Sequence, residues 1–207
     1  MGISSQMAAM VSLIVAILLA ITLLPWSFWL LVHAWTAAPG IFPPVDTWWV
    51  IAGVVCSVPL VVWQRPNAFI HTTVHECCHA LLCLCLGVRV TSFMVSDGQG
   101  GAVGHERVDP LRSTIISIAP YTLPLLVVPL LIIRQWVITD PGWPRGLLSG
   151  MIAFFYVHHL HALYYNVRLN FWGRQADLVK VGRPLSAVLI ASALFLFTWW
   201  VLMVLWG

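Results

Sequence analysis

One short segment of the sequence combines residue types that bind metal ions with a residue type that moves protons. It is His75-Glu76-Cys77-Cys78-His79, a match to the pattern H-E-x-x-H. Two histidines four residues apart lie on one face of a helix, so both imidazoles can reach the same metal ion. Glu76 follows the first histidine directly and can take a proton from a water at the metal without binding the metal itself. The pattern predicts a zinc site with Glu76 as general base.

A tetrahedral catalytic zinc needs a third protein ligand, which this segment does not supply. Asp177 is the first choice, and we expect the chain around it to dip inward towards the motif, as a short helix. His158 and His161 share a helix face and are the competing ligands or the lining of a polar cavity. His71 lies one turn before His75 and is either a proton relay, a partner of a ligand or a histidine bonded between helices. Four loop residues are less favoured ligands: Asp97, His105, Glu106 and Asp109.

The composition predicts which environment surrounds this site. Of the 207 residues, 60% are apolar and 8% are charged, and the mean hydropathy is +0.92. Soluble domains carry about 25% charged residues, so the chain has too little polar surface to be a water-soluble enzyme. Its twelve tryptophans fit a membrane protein, because tryptophan favours the membrane interface. A net charge of +3 is too small to indicate nucleic-acid binding.

The apolar stretches predict an all-α polytopic membrane protein. About 20 apolar residues cross a bilayer as a helix, and six stretches approach that length: 7–32, 48–63, 68–86, 115–133, 147–165 and 185–206. The third contains the motif, where a charged side chain costs at least about 2.5 kcal/mol and so indicates function. After it, a β-prone stretch from Val88 to Val95, the turn-forming residues 97–101 and Ala102-Val103 predict a small β-hairpin.

Basic residues are unevenly distributed among the predicted loops. Seven fall on the side of the 88–110 and 166–184 segments and three on the other. The positive-inside rule then predicts that these segments face the cytoplasm and that both termini lie outside. Because the loops are short, we expect a multi-pass protein of a bacterial cytoplasmic membrane.

With these features, the chain resembles the site-2 protease family of intramembrane zinc metalloproteases. The resemblance rests on H-E-x-x-H in an apolar helix, the Gly-rich hairpin segment, and a later helix that opens with Ala119-Pro120-Tyr121-Thr122-Leu123-Pro124 and precedes a distal acid. The family's third ligand lies in Leu-Asp-Gly, and Ala176-Asp177-Leu178 is the nearest equivalent here.

The resemblance implies one zinc per chain and cleavage of a membrane-spanning protein within or near the bilayer. The expected partners are therefore that substrate and the lipid bilayer. It also implies a single membrane-embedded domain over 1–207, with a core at about 68–183 and accessory helices at 7–32, 48–63 and 185–206.

Two other functions are compatible with the same residues. A membrane di-iron oxidase or hydroxylase uses many histidines, and this chain offers six: His71, His75, His79, His158, His159 and His161. That number is low for two irons, and Glu76 would then have no role. A non-enzymatic membrane scaffold or metal-binding protein is the second alternative. Metal analysis separates the di-iron enzyme from the protease, since the protease holds one zinc and the oxidase two irons. The effect of Glu76→Gln on activity separates the protease from a non-enzymatic scaffold.

Overall fold

The structure is a computed structural model that describes residues 3–37, 44–63, 68–96, 100–170 and 176–206. These residues form nine helices and one two-stranded sheet. In chain order they are α1 (Ile3–Ile21), α2 (Leu23–Ala37), α3 (Pro44–Trp63), α4 (Ala68–Cys85), β1 (Val90–Ser96), β2 (Gly100–His105), α5 (Pro110–Thr122), α6 (Val127–Trp136), α7 (Trp143–Asn170), α8 (Ala176–Val181) and α9 (Arg183–Trp206).

The prediction of a membrane protein is confirmed in its general form. Among the described residues, three helical stretches are long and apolar enough to cross a membrane, namely Gln6–Thr36, Trp143–Arg168 and Arg183–Trp206. A fourth crossing results if the bent pair α5 and α6 counts as one span. The predicted number of six spans is not confirmed, since the helix Asp46–Val62 is shorter and α4 does not qualify.

The predicted helix over 115–133 is wrong as a continuous element. It is broken into α5 and α6 at residues 123–126, and Pro124 favours this break in two ways. Pro124 has no N–H to donate and disfavours a helical conformation at the residue before it. Leu123 is accordingly extended, with φ −103° and ψ 110°, and its N–H closes α5 on the carbonyl of Ala119 at 2.9 Å. The carbonyl of Pro124 then accepts from Val127 and begins α6.

The predicted β-hairpin is confirmed. β1 and β2 pair in antiparallel fashion, with Phe93 opposite Val103 and an irregular register between Val90 and Ser92. The predicted turn falls partly on residues 97–99, which lie outside the described residues. Gly87 connects α4 to the hairpin. Its φ of +67° lies in the left-handed region, which favours glycine. The N–H of Val88 then bonds back to the carbonyl of Cys83 at 2.7 Å.

The chain divides into two compact units. The first comprises residues 1–27, 67–123 and 165–194, and the second residues 28–66, 124–164 and 195–207. Apolar clusters of the first unit, among the residues that the structure describes, include Cys83 with Val88 and Ile116, and Ala16 with Val181 and Leu185. A larger cluster lies in the second unit and consists of Val127, Leu131, Ile152, Tyr156, Val201, Val204 and Leu205. The expectation of one functional domain with its core at 68–183 stays a prediction.

Candidate metal centre

The first unit brings together the three residues that the sequence suggests as metal ligands. Asp177 Oδ2 lies 3.7 Å from Nε2 of His75 and 3.5 Å from Nε2 of His79. One ligand atom from each of the three residues lies within 4.8 Å of the other two. Within the described residues, this is the group of histidine, cysteine and acidic side chains that is close enough to hold a metal ion.

Helix α4 places both histidines on one face, as their spacing predicts. Their ring centroids are 5.1 Å apart. A bond to the backbone fixes the orientation of the second ring, because His79 Nδ1 lies 2.7 Å from the carbonyl oxygen of Ile116 in α5. That oxygen can only accept, so Nδ1 carries the proton and Nε2 keeps its lone pair. The Nε2 atom that faces Asp177 is thus the one able to bind a metal.

Asp177 reaches the histidines from α8, the short helix expected around this residue. Leu178, the next residue, is buried in the first unit. Gly182 ends the helix with φ +95°, and its N–H donates to the carbonyl of Leu178 at 3.1 Å. Ser12 of α1 donates to the carbonyl of Val181 at 3.1 Å. Helix α1, expected to be accessory, therefore helps to hold the segment that carries the acid.

Glu76 lies beside the histidines and under the hairpin. Its side chain is 6% exposed, which shields the carboxylate from bulk water. Gly101 of β2 packs directly on it, since a Cβ atom at Gly101 would lie 2.5 Å from Glu76 Cγ and 2.8 Å from Thr72 Cγ2. Real Cβ contacts are not that short. The absence of a side chain at Gly101 thus lets the hairpin backbone close over Glu76.

The two imidazoles set the charge state of the acid opposite them. Burial raises the pKa of the Asp177 carboxyl, but the interactions with His75 and His79 outweigh burial and hold that pKa well below its usual range. Asp177 is therefore a carboxylate at neutral pH. A carboxylate and two imidazole nitrogens are a donor set that zinc prefers.

The arrangement fits a zinc ion. Zinc bonds to nitrogen and oxygen are about 2.0–2.2 Å long, so ligand atoms of a tetrahedral site are about 3.3–3.6 Å apart. The two measured separations from Asp177, 3.5 and 3.7 Å, are close to that value. Both exceed an ordinary hydrogen bond between nitrogen and oxygen. The separations of Asp177 from the two imidazoles are therefore those expected for ligands of one zinc ion.

The competing ligands are not part of this group. His158 and His161 belong to α7 in the second unit, where the His158 ring lies 4.6 Å from that of Phe154. His71 lies one turn before His75, with its ring 6.1 Å from that of Tyr165.

The less favoured loop residues have other contacts. Glu106 accepts from the N–H of Arg89, and its carbonyl lies 2.7 Å from His105 Nδ1. Asp109 caps the start of α5 by accepting from the N–H groups of Leu111 and Arg112. Asp97 lies outside the described residues.

A comparison with known families agrees with this geometry. The family model described as Peptidase M50B-like matches residues 47–205, which is most of the chain. The chain belongs to the Peptidase M50B-like family. The resemblance to site-2 proteases is therefore confirmed, and membership implies a membrane protease of the metallopeptidase type. No curated protein and no solved structure matches the chain.

Several residues that shape this M50B-like site carry no sequence signal of their own. Ile116 contributes only a backbone carbonyl, and Ser12 lies 169 positions from the carbonyl that it contacts. Tyr121 is buried, with its ring perpendicular to that of His75 and 5.5 Å from it. Gly101 sits in the Gly-rich segment that marked the hairpin, but only the packing on Glu76 shows what that glycine does.

Proposed function

We propose that the protein is a zinc metalloprotease that cleaves a membrane-anchored protein substrate within or near the bilayer. One observation carries the proposal: the ligand atoms of His75, His79 and Asp177 converge beside the buried carboxylate of Glu76. Membership of a membrane metallopeptidase family supports the same chemistry. The di-iron alternative gains no support, because the described residues gather one metal-binding group and not two.

Each residue of the site has a defined role in this proposal. His75, His79 and Asp177 would hold one zinc ion, which supplies a Lewis acid that polarises the scissile carbonyl and lowers the pKa of a bound water to about 7. Glu76 takes the proton of the attacking water and delivers it to the leaving amine. The carbonyl of Ile116 keeps His79 in the tautomer that leaves Nε2 free to bind.

The hairpin is the proposed place where the substrate chain is held. A transmembrane helix hides its peptide bonds in internal hydrogen bonds, so the segment to be cut must first unwind. An extended segment can be bound by adding a strand to the edge of a sheet. Within the described part of the chain, β1 and β2 form a two-stranded sheet, and β2 packs on Glu76 through Gly101. An unwound segment added to this hairpin would then lie close to the general base.

The expected setting is a bacterial cytoplasmic membrane, in which the chain crosses the bilayer several times. The proposed partners are a membrane-spanning protein and the surrounding lipid. The short connections and the apolar helices support this setting.

The decisive experiment is Glu76→Gln, which keeps the shape of the side chain and removes its basicity. We expect a loss of cleavage by at least about 100-fold, with one zinc retained per chain. Metal content of the purified protein and mass spectrometry of membrane proteins that accumulate in the mutant strain are the two measurements.

The matched control is Glu106→Gln, at the chain's other glutamate, which is exposed and lies outside the metal group. It is expected to leave cleavage and zinc unchanged. Normal processing by the Glu76→Gln protein would overturn the catalytic proposal.

A further inference from the structure

The second unit contains a buried cluster of charges that the proposed protease chemistry does not use. Asp46 at the start of α3 is 2% exposed. Its Oδ2 accepts from Arg134 Nη2 and from Arg145 Nε, both at 2.9 Å. Arg134 also donates from Nε to Ser149, and Arg145 donates from Nη1 to the carbonyl of Thr139. The cluster thus joins the ends of α3, α6 and α7.

The charges of this cluster do not balance. Two guanidinium groups, exposed by 4% and 9%, face one carboxylate, so the described residues of the cluster carry a net charge of +1. These bonds use Nε and Nη2 of Arg134 and Nε and Nη1 of Arg145, so each guanidinium has a further nitrogen, Nη1 of Arg134 and Nη2 of Arg145, that donates in none of them. The other nearby acid, Asp140, is exposed and forms no ion pair with either arginine. An uncompensated buried charge is costly, so an external anion would stabilise the cluster.

The same end of the second unit carries exposed tryptophans. The end of α9 joins the end of α6 through a hydrogen bond from Trp200 to Gln135, and the end of α2 joins α9 where the rings of Trp35 and Trp206 meet at 6.4 Å. The ends of five helices therefore lie together. Four tryptophans at this end are between 63% and 72% exposed: Trp35, Trp48, Trp136 and Trp143. Exposed tryptophans at one level are typical of the membrane–water interface.

We propose that Arg134 and Arg145 bind the phosphate of an anionic phospholipid. The tryptophans place this end at the depth of the lipid headgroups, which is where phosphate groups are concentrated. The guanidinium nitrogens that Asp46 leaves free supply donors with the planar geometry that phosphate favours. Basic pockets between membrane helices bind lipid headgroups in this way.

A charge placed beside the cluster tests the proposal without disturbing the buried residues. Thr139 is exposed and its carbonyl accepts from Arg145, so Thr139→Asp adds a carboxylate there. Thr139→Asn is the matched control, because asparagine has the shape of aspartate without its charge. Native mass spectrometry of the purified full-length protein then measures the retention of added phosphatidylglycerol. We expect Thr139→Asp to weaken binding by about tenfold and Thr139→Asn to bind as the wild type does.

A second variant tests the arginine itself. Arg145→Gln removes the excess charge but leaves the pair of Asp46 and Arg134 balanced, so we expect a folded protein that retains phosphatidylglycerol at least about tenfold less. Equal retention by the Thr139→Asp and Thr139→Asn proteins overturns the proposal. So does equal retention of phosphatidylglycerol and zwitterionic phosphatidylcholine in the wild type. Displacement of the lipid by millimolar inorganic phosphate would identify free phosphate as the ligand and overturn the lipid assignment.

Discussion

The two units each gather a group of charged and polar side chains, but the groups differ in spacing and in charge. In the first unit, Asp177 stands 3.5 and 3.7 Å from two imidazoles. In the second unit, Asp46 is in direct contact with two guanidinium groups at 2.9 Å. The first group is rich in carboxylates and leaves space between its ligand atoms, so it suits a cation. In the second group the carboxylate of Asp46 already bonds to both guanidinium groups, and the described residues of the group carry a net charge of +1.

The difference teaches how to distinguish a site that holds a cation from a cluster whose charged side chains bond directly to one another. Side chains that satisfy one another approach to hydrogen-bonding distance, as Arg145 and Asp46 do. Side chains that hold an ion converge without touching, since the ion must fit between them. The first unit is therefore expected to lose function when its acid is removed, and the second to lose stability.

The largest expected effect is that of Asp177→Ala on metal binding. The substitution removes a ligand and leaves two histidines. Loss of a residue that only hydrogen-bonds to a metal ligand lowers metal affinity by up to about 100-fold, so loss of the ligand itself should lower zinc affinity by more than that. Cleavage should be lost with it. Zinc per chain, measured on purified protein, is the test.

The control for this prediction is Lys180→Ala, at an exposed position of the same short helix. It should keep both zinc and activity. The competing assignment is tested by the His158→Ala/His161→Ala pair, which is expected to keep zinc. If that pair loses zinc while Asp177→Ala keeps a full equivalent, the third ligand has been assigned to the wrong residue.

Asp46→Asn should instead destabilise the protein and leave the metal centre intact in the molecules that fold. It leaves two buried arginines without a countercharge, a change that costs about 3–5 kcal/mol for a buried pair. The free energy of unfolding in detergent is the measurement. Asp140→Asn removes an exposed acid from the same end and should change that free energy by less than about 0.5 kcal/mol. Equal effects of the two substitutions would remove the contrast between the units.

The sequence was informative about the first group and uninformative about the second for a physical reason. His75, Glu76 and His79 are close in sequence because one helix presents them, so their spacing is a signal. Asp46 lies 88 and 99 positions from its two partners, and nothing in composition or periodicity pairs them. Asp177 was the first choice because the predicted topology returns its polar segment to the side of the membrane where the motif helix ends; the family's usual Leu-Asp-Gly motif is absent and could not identify it.

The fold shows the same division between local and distant information. The hairpin was predicted from β-prone residues and a glycine-rich turn, which act locally. The break between α5 and α6 was missed because hydropathy over 115–133 is continuous, although Pro124 marks the position. The contact of Ser12 with Val181 requires tertiary structure and has no local signature.

Gly101→Ala tests whether the hairpin positions the base. An added Cβ would collide with Glu76 and Thr72, so either the strand or the carboxylate must move. A displacement of about 1 Å at a catalytic group costs up to about 100-fold in rate. We expect kcat to fall by about 10- to 100-fold with zinc retained. Ala102→Ser, at the neighbouring exposed residue of the same strand, is the control and should be neutral. Loss of zinc in Gly101→Ala would show a general disturbance of the site.

The smallest effect is expected at Asp109, an exposed acid that belongs to neither charged group. It stabilises the folded protein by capping the start of α5. Backbone N–H groups of Arg112 and Leu111 donate to its carboxylate and lower its pKa. The lowered pKa means that the carboxylate stabilises the folded state above the unfolded pKa of about 3.9, and that this contribution disappears as the pH falls through the folded value. Asn also caps helices but does not titrate in this range. The Tm advantage of the wild type over Asp109→Asn in detergent should therefore shrink as the pH is lowered from 7 to 3. A constant difference across that range would show that the charge of Asp109 adds nothing to its cap.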